Sequence, residues 1–330
     1  MPEMSDATTT TVLPSSTVAL VEPVARVRDA INQWVMGLDD ALVMMTLALI
    51  CGGHVLLEGP PGTAKTMMVK LLGQALNLPF KRIQFTPDMM PADLIGTNIY
   101  NQQEHRFTFH QGPLFTTFLL ADEINRAPAK TQSALLECMQ EHQVTVEGEQ
   151  MMLGELFTVF ATQNPLEHEG TYPLPEAQLD RFLFKLVIPY PSRAAGLAIL
   201  KQHHQQTAGS HDVCIEPVLG ADDLIGLRQA ANAVTVQEPV LTYLADLVDA
   251  TRQNPHVAVG ASPRSAILWL KAAKAMAYVE QRDYVIPDDI KRVGPPLLRH
   301  RLILFPQAEL EGRTPDSVID ELFGVVKPPR

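Results

Sequence analysis

The segment Gly59-Pro-Pro-Gly-Thr-Ala-Lys-Thr66 combines the residue types that a phosphate site needs. Glycines let the backbone N–H groups turn toward an anion, a lysine supplies charge for the β and γ oxygens, and a hydroxyl beside it can face a magnesium ion. The loop follows the apolar run His54–Leu57 and opens a helical pattern that extends to about Asn77. A strand, a loop and a helix in that order give a phosphate loop its usual context. Gly59, Pro60, Pro61, Gly62, Thr63, Ala64, Lys65, Thr66 and Met67 are therefore the expected nucleotide-contacting stretch. One residue departs from the general pattern: Ala64 stands where a glycine precedes the lysine. An alanine is expected to be tolerated there if that position has already entered the helix with negative φ.

A second apolar run, Phe118–Ala121, delivers Asp122 and Glu123 at its end. Carboxyl ends of parallel strands are where ligands bind in doubly wound sheets. Asp122 is expected to hold magnesium together with Thr66, directly or through water, and Glu123 to polarise the attacking water. Taken alone, such a pair caps a helix more often than it catalyses, but here it follows a phosphate loop. A third run, Phe160-Ala-Thr-Gln-Asn-Pro165, ends in a polar pair that offers Asn164 to the lytic water or the γ phosphate. A plain exit from strand to turn is the competing reading of that segment.

Positioning these residues requires a sheet. Five short apolar runs, His54–Leu57, Phe80–Phe85, Phe118–Ala121, Leu156–Ala161 and Phe182–Ile188, alternate with helical patterns. Such runs predict a parallel sheet covered on both faces. Two stretches do not fit a simple crossover. Phe85–Gly112 is too long and contains proline, and Gln143–Leu153 reads as strand, turn, strand. After Pro189-Tyr-Pro191 the pattern turns helical, at about Ser192–Gln206, Ala221–Val236, Pro239–Gln253, Pro263–Glu280 and Pro287–Arg299. Residues 1–22 are rich in Ser, Thr and Pro and are expected to form a flexible arm. A first domain is expected over 23–190 and a helical one over 191–330.

The wording of several segments carries a family resemblance. Ala121-Asp-Glu-Ile-Asn-Arg-Ala127, Thr131-Gln-Ser-Ala-Leu-Leu-Glu137, Ala161-Thr-Gln-Asn-Pro165 and Glu169-Gly-Thr-Tyr-Pro-Leu-Pro-Glu-Ala-Gln-Leu-Asp-Arg-Phe182 closely resemble the MoxR family of AAA+ ATPases, over roughly residues 24–300. Ala64 belongs to the resemblance, since MoxR-like loops commonly carry Ala-Lys-Thr. It implies an α/β fold, an AAA+ P-loop NTPase core with a five-stranded parallel sheet, followed by a mainly helical lid. It further implies Asn164 as sensor 1, Arg181 as an arginine finger reaching a neighbouring subunit's γ phosphate, and Arg264 as sensor 2. Each arginine has an alternative reading as a structural ion pair. Arg126 is similar to an interface residue of the family. The stretch 86–112 looks like the helix 2 insert of this clade, 143–155 like the pre-sensor 1 hairpin, and Val35, Met36 and Gly37 like the adenine contact. Met89 and Met90 are either a soft contact for a partner or core filler.

The function implied is Mg-dependent hydrolysis of ATP to ADP and phosphate by a ring, a hexamer, that remodels or activates a partner protein with a von Willebrand factor A domain. A motor subunit of a metal chelatase, a nucleotide-gated binding module with little turnover and a nucleic-acid motor are the alternatives. Bulk properties narrow these. A formal net charge of -11 at pH 7 argues against a surface that tracks nucleic acid. Apolar residues at 46% and charged ones at 19% place the chain among ordinary globular proteins. Cys51, Cys138 and Cys214 are odd in number and widely spaced, so buried free thiols are expected rather than a disulfide framework. The start lacks the cationic region of a secretory signal, and the longest apolar run, Ala41–Cys51, is too short to span a bilayer. A cytoplasmic location without membrane insertion is expected.

Overall fold

The computed structural model describes residues 15–329 apart from 104, 147, 166–169 and 206–214. Helices α1 (Ser15–Asn32) and α2 (Asp39–Cys51) come first. α1 begins inside the stretch expected as an arm: Ser15 and Ser16 precede the apolar Val18–Val21, a polar start followed by helix-compatible residues. This moves the helix start back to residue 15 and leaves the arm reading only for 1–14, which lie outside the described residues. α2 is apolar on all sides, as befits a helix enclosed by neighbours, and nearly all of Leu42–Cys51 is buried.

The chain then alternates through β1 (His54–Glu58), α3 (Lys65–Ala75), β2 (Phe80–Gln84), α4 (Pro91–Ile95), a hairpin of β3 (Gly96–Asn101) and β4 (Arg106–Gln111), and β5 (Phe118–Asp122). It continues through α5 (Ala129–Glu141), a second hairpin of β6 (Gln143–Val146) and β7 (Glu149–Met152), β8 (Thr158–Gln163), α6 (Glu176–Leu179) and β9 (Phe182–Val187). The two stretches that fit no simple crossover are thus built as hairpins, the first preceded by the single turn of α4.

Strands β1, β2, β5, β8 and β9 form one parallel sheet in the order β2-β5-β8-β1-β9. Helices cover both faces, and side chains alternate between them with a period of two. On β5, Phe118 and Leu120 join the core under α1, α2 and α3, whereas Leu119 and Ala121 join a second core under α4 and α5. Two apolar faces explain why the inner strands read as nearly unbroken hydrophobic runs, while the edge strand β2 carries exposed Lys81, Arg82 and Gln84. Because β1 lies between β8 and β9 while the strand that follows it is added at the far edge, the carboxyl ends beside β1 form a switch point where a crevice opens.

Beyond β9 come α7 (Arg193–Gln205), α8 (Ala221–Ala233), α9 (Glu238–Gln253), β10 (Val257–Val259), α10 (Pro263–Val279), α11 (Pro287–Leu298), β11 (Ile303–Leu304), α12 (Pro306–Leu310) and α13 (Pro315–Val325). Five of these helices open with a proline in the first turn, where its missing N–H costs nothing. α8 and α10 pack on α2, so one apolar core runs from the sheet into the helical region. Trp269 is buried at its centre and donates from Nε1 to Ile290 O at 2.8 Å. Cys51 and Cys138 are buried free thiols, and burial pushes the pKa of each up to about 12. Cys214 lies outside the described residues, as does Glu169.

Candidate functional site

The sheet's carboxyl edge gathers a cleft of about 370 Å³. The loop after β1, the first turn of α3, and the ends of β2, β5 and β8 line it. Gly59 is fixed by close approach: a Cβ there would stand 2.3 Å from Ile188 O, while its N–H donates to Gln163 O at 3.2 Å. Gly62 takes φ +77, which a glycine adopts without strain. Thr63 ties the loop to itself by donating from Oγ1 to Pro60 O at 2.9 Å.

Ala64 departs from the expectation. It has φ 60 and ψ 17, in the left-handed region, and occupies the cap position just before α3. The helix has not yet begun there, so the alanine carries the strain that a glycine would avoid, about 1–2 kcal/mol. Met68 N bonds to Ala64 O at 2.9 Å as the first helical bond. The N–H groups of Lys65, Thr66 and Met67 precede it without helical partners and stand at the cleft, where the positive helix end favours an anion.

Lys65 donates from Nζ to Gly59 O at 2.6 Å and to Pro60 O at 2.7 Å, folding over the loop. Partial burial lowers its pKa, and Asp122 and Glu123 pull it the other way. Asp122 is buried and accepts from Thr162 Oγ1 at 2.6 Å, Arg82 Nη2 at 2.6 Å and Thr66 Oγ1 at 3.2 Å. Glu123 is set by φ +56 and by its own N–H, which donates to Thr162 Oγ1 at 2.8 Å. Its carboxylate accepts from Gln84 Nε2 at 2.7 Å and pairs with Arg126 Nε at 2.9 Å.

Among the described residues no cluster of three or more His, Cys, Asp or Glu is placed to hold a metal. The donors present suit a different arrangement. A hydroxyl and a carboxylate, Thr66 and Asp122, meet beside the loop, and magnesium takes few protein ligands alongside phosphate oxygens and water. The residues fit that ion.

Lys65, Thr66, Met67, Asp122, Glu123 and Asn164 thus line one cleft. Asn164 is buried, and its carbonyl accepts from Asn125 Nδ2 at 3.4 Å. Other expected residues stand apart from the lining. Arg181 donates from Nη1 to Leu136 O at 2.6 Å on α5. Arg264 pairs with Asp180 at 3.9 Å, half exposed. Val35 is buried and Met36 half-buried, while Gly37 has φ +78 and sits where a Cβ would be 3.3 Å from Ala195 Cβ of α7. Met89 packs against the second core and Met90 is exposed.

Four cleft residues were not anticipated as site residues: Arg82, Gln84, Thr162 and Gln163. Phe80–Phe85 reads as an apolar strand, yet Arg82 and Gln84 are two apart and share a face, with Ile83 turned into the core. Two polar residues on one face at a strand's carboxyl end are the signal that was available.

Comparison with known proteins agrees with this architecture. Residues 54–184 match the model of the ATPase family associated with various cellular activities (AAA), and residues 249–322 match the AAA lid domain. The uncharacterised protein YeaC of Bacillus subtilis (strain 168) is 47% identical over 300 residues, covering 91% of this chain and 92% of its own. Chaperone MoxR1 of Mycobacterium tuberculosis is 43% identical over 91% of this chain and 81% of its own. Protein MoxR of Paracoccus denitrificans is 31% identical over 92% and 97%. A crystallised protein of Cytophaga hutchinsonii superimposes with a TM-score of 0.86 at 40% identity, covering 95% of this chain and 97% of that one. No helix among the described residues is long and apolar enough to cross a membrane.

Proposed function

As a member of the MoxR family of AAA+ ATPases, this chain, we propose, binds ATP with magnesium in the cleft at the sheet's edge and hydrolyses it as part of a ring. The observation that carries this reading is the meeting of Thr66, Asp122 and Glu123 at the mouth of the phosphate loop. N–H groups of the loop and of the first turn of α3 receive the phosphates, and Lys65 exchanges its carbonyl partners for phosphate oxygens. Thr66 and Asp122 hold magnesium, which neutralises charge on the phosphates when bound. Glu123 orients and polarises a water molecule, and Asn164, buried at the end of β8, fixes that water or the γ phosphate by hydrogen bonding.

Arg181 does not line its own chain's cleft, which supports a role at the site of the next subunit. A guanidinium supplied across an interface stabilises charge on the transferring phosphoryl group and makes hydrolysis depend on assembly. Arg264, near the start of α10, acts from the lid side of the same nucleotide. The adenine rests near Val35–Gly37, between the sheet domain and α7. The ring, a hexamer, couples turnover to remodelling of a partner protein that carries a von Willebrand factor A domain; a relative's name, Chaperone MoxR1, supports the remodelling class.

Mixing tests the shared site. Arg181→Ala and Glu123→Gln chains, each inactive alone, regain part of the ATPase activity in mixed rings, because the first keeps a complete cleft and the second lends it Arg181. Demonstrably mixed rings without recovery contradict the assignment.

A further inference from the structure

Arg301 lies in the helical lid, just after α11, yet its guanidinium is buried against the start of β9, with the side chain 3% exposed. Nε donates to Asp180 Oδ1 at 2.7 Å. Nη2 donates to Asp180 O at 3.1 Å and to Phe182 O at 2.7 Å, and Nη1 donates to Leu183 O at 3.0 Å and to Leu297 O. An arginine has five N–H donors in a fixed fork, and these acceptors use all of them. Four of the acceptors belong to residues 180, 182 and 183, which bracket Arg181 on both sides.

Neighbouring lid residues hold the same strand. His300 Nε2 donates to Phe182 O at 3.0 Å, and Arg299 Nη1 donates to Lys185 O at 3.3 Å. The second carboxylate oxygen of Asp180 faces Arg264 of α10 at 3.9 Å. At its far end the same strand leads to the phosphate loop, where Ile188 N donates to Glu58 O at 2.7 Å and Ile188 O closes against Gly59. One strand therefore connects the lid, the backbone that carries Arg181, and the loop that receives phosphate.

Pairing a buried guanidinium with a carboxylate whose side chain is 33% exposed is a weak device for stability alone, since taking the guanidinium out of water consumes much of what the attraction returns. It is a good device for fixing geometry, because a rigid fork with every donor engaged permits one arrangement. We infer that Arg301 is a positioning residue for Arg181: it makes the lid and the segment 180–183 move as one body, so that the lid's orientation sets where Arg181 is presented to the neighbouring subunit. This rests on the reading of Arg181 as a group that acts across the interface.

The test uses full-length chains in mixed rings of Arg181→Ala and Glu123→Gln subunits. Arg301→Lys is placed in one or the other component, with assembly and far-UV circular dichroism checked first. In the Glu123→Gln subunit, which lends Arg181, the substitution lowers the recovered kcat by roughly ten- to hundredfold, the scale of a misplaced catalytic group, and leaves the KM for ATP unchanged. In the Arg181→Ala subunit, which has no Arg181 to position, it leaves the recovered rate as it was. Equal losses in both placements, or none in either, overturn the inference. Should Arg301→Lys fail to assemble, Arg301→Gln, which removes the charge and keeps two donors, follows the same placement rule and is overturned by the same results. Parent rings that never recover, before any change at Arg301, refute the cross-interface reading itself and the inference with it.

Discussion

Gln84 Nε2 donates to Glu123 Oε2 at 2.7 Å across the paired ends of β2 and β5, and Arg126 Nε reaches the same oxygen at 2.9 Å. The proposed general base is thus engaged by two donors from its own chain. Hydrogen bonds donated to a carboxylate stabilise its charged form and lower its basicity, so these partners tune the resting rate.

Gln84→Ala removes one of these restraints. A hydrogen bond to a charged, partly exposed group contributes about 1 kcal/mol, which corresponds to roughly fivefold in rate. Basal ATP turnover is expected to rise by about that factor without a matching change in ATP affinity. A fall in turnover contradicts the restraint and makes Gln84 an aligner of the base.

Ala64 provides a backbone test. Its φ of 60 costs about 1–2 kcal/mol for an L side chain, of which a glycine returns part to unfolded-state entropy, about 0.5–1 kcal/mol. Ala64→Gly is therefore neutral or stabilising by up to about 1.5 kcal/mol, and Ala64→Val, branched at Cβ, destabilises and weakens ADP binding. Thermal unfolding and ADP titration of both variants read this out. A clear loss of stability in Ala64→Gly contradicts the assigned strain.

His54 opens β1 fully buried, donating from Nε2 to Met139 O at 2.9 Å and accepting at Nδ1 from Val159 N at 3.0 Å. Burial, chiefly, lowers its pKa to about 4; the hydrogen bond to Met139 opposes this, and the neighbouring His142 and Arg228 add to it. The folded pKa lies below the ordinary 6.5, so between these values the unfolded chain binds a proton that the folded one refuses. Stability is complete above about pH 6.5 and falls as pH drops toward 4, by roughly 1.4 kcal/mol per pH unit for this group. His300 is buried with its pKa shifted the same way, and adds to the slope. His54→Gln, which cannot titrate, makes the fall between pH 6.5 and 5 shallower; an unchanged slope contradicts the assignment.

Much of the architecture was legible because its signals are local. Each of the five sheet strands begins and ends within about two residues of its predicted run; burial on both faces keeps β1, β5 and β8 largely apolar, whereas the edge strand β2 is marked only by Phe80, Ile83 and Phe85. The acids at the end of β5 and the loop after β1 stood out because polar residues interrupt such runs abruptly. What was missed depends on partners far away in sequence. Arg82 and Gln84 gain meaning only beside Asp122 and Glu123, and Arg301 only beside Asp180. The left-handed backbone of Ala64 is set by how the loop joins α3, which residue type alone does not reveal. The ribbon of β10 and β11 is too short to carry a period, whereas α13 was legible from Thr314 before Pro315 and from Val318, Ile319 and Leu322 at helical spacing.

The central claim is that one cleft both binds ATP and activates water, with the two tasks on different residues. Equilibrium ATP binding and steady-state phosphate release, measured side by side on Glu123→Gln and Lys65→Ala, test it most directly. Glu123→Gln keeps ATP affinity within about threefold while turnover falls by roughly two orders of magnitude or more, and Lys65→Ala loses binding itself. A Glu123→Gln protein that hydrolyses ATP at the parent rate, or a Lys65→Ala protein that binds ATP unchanged, contradicts the account.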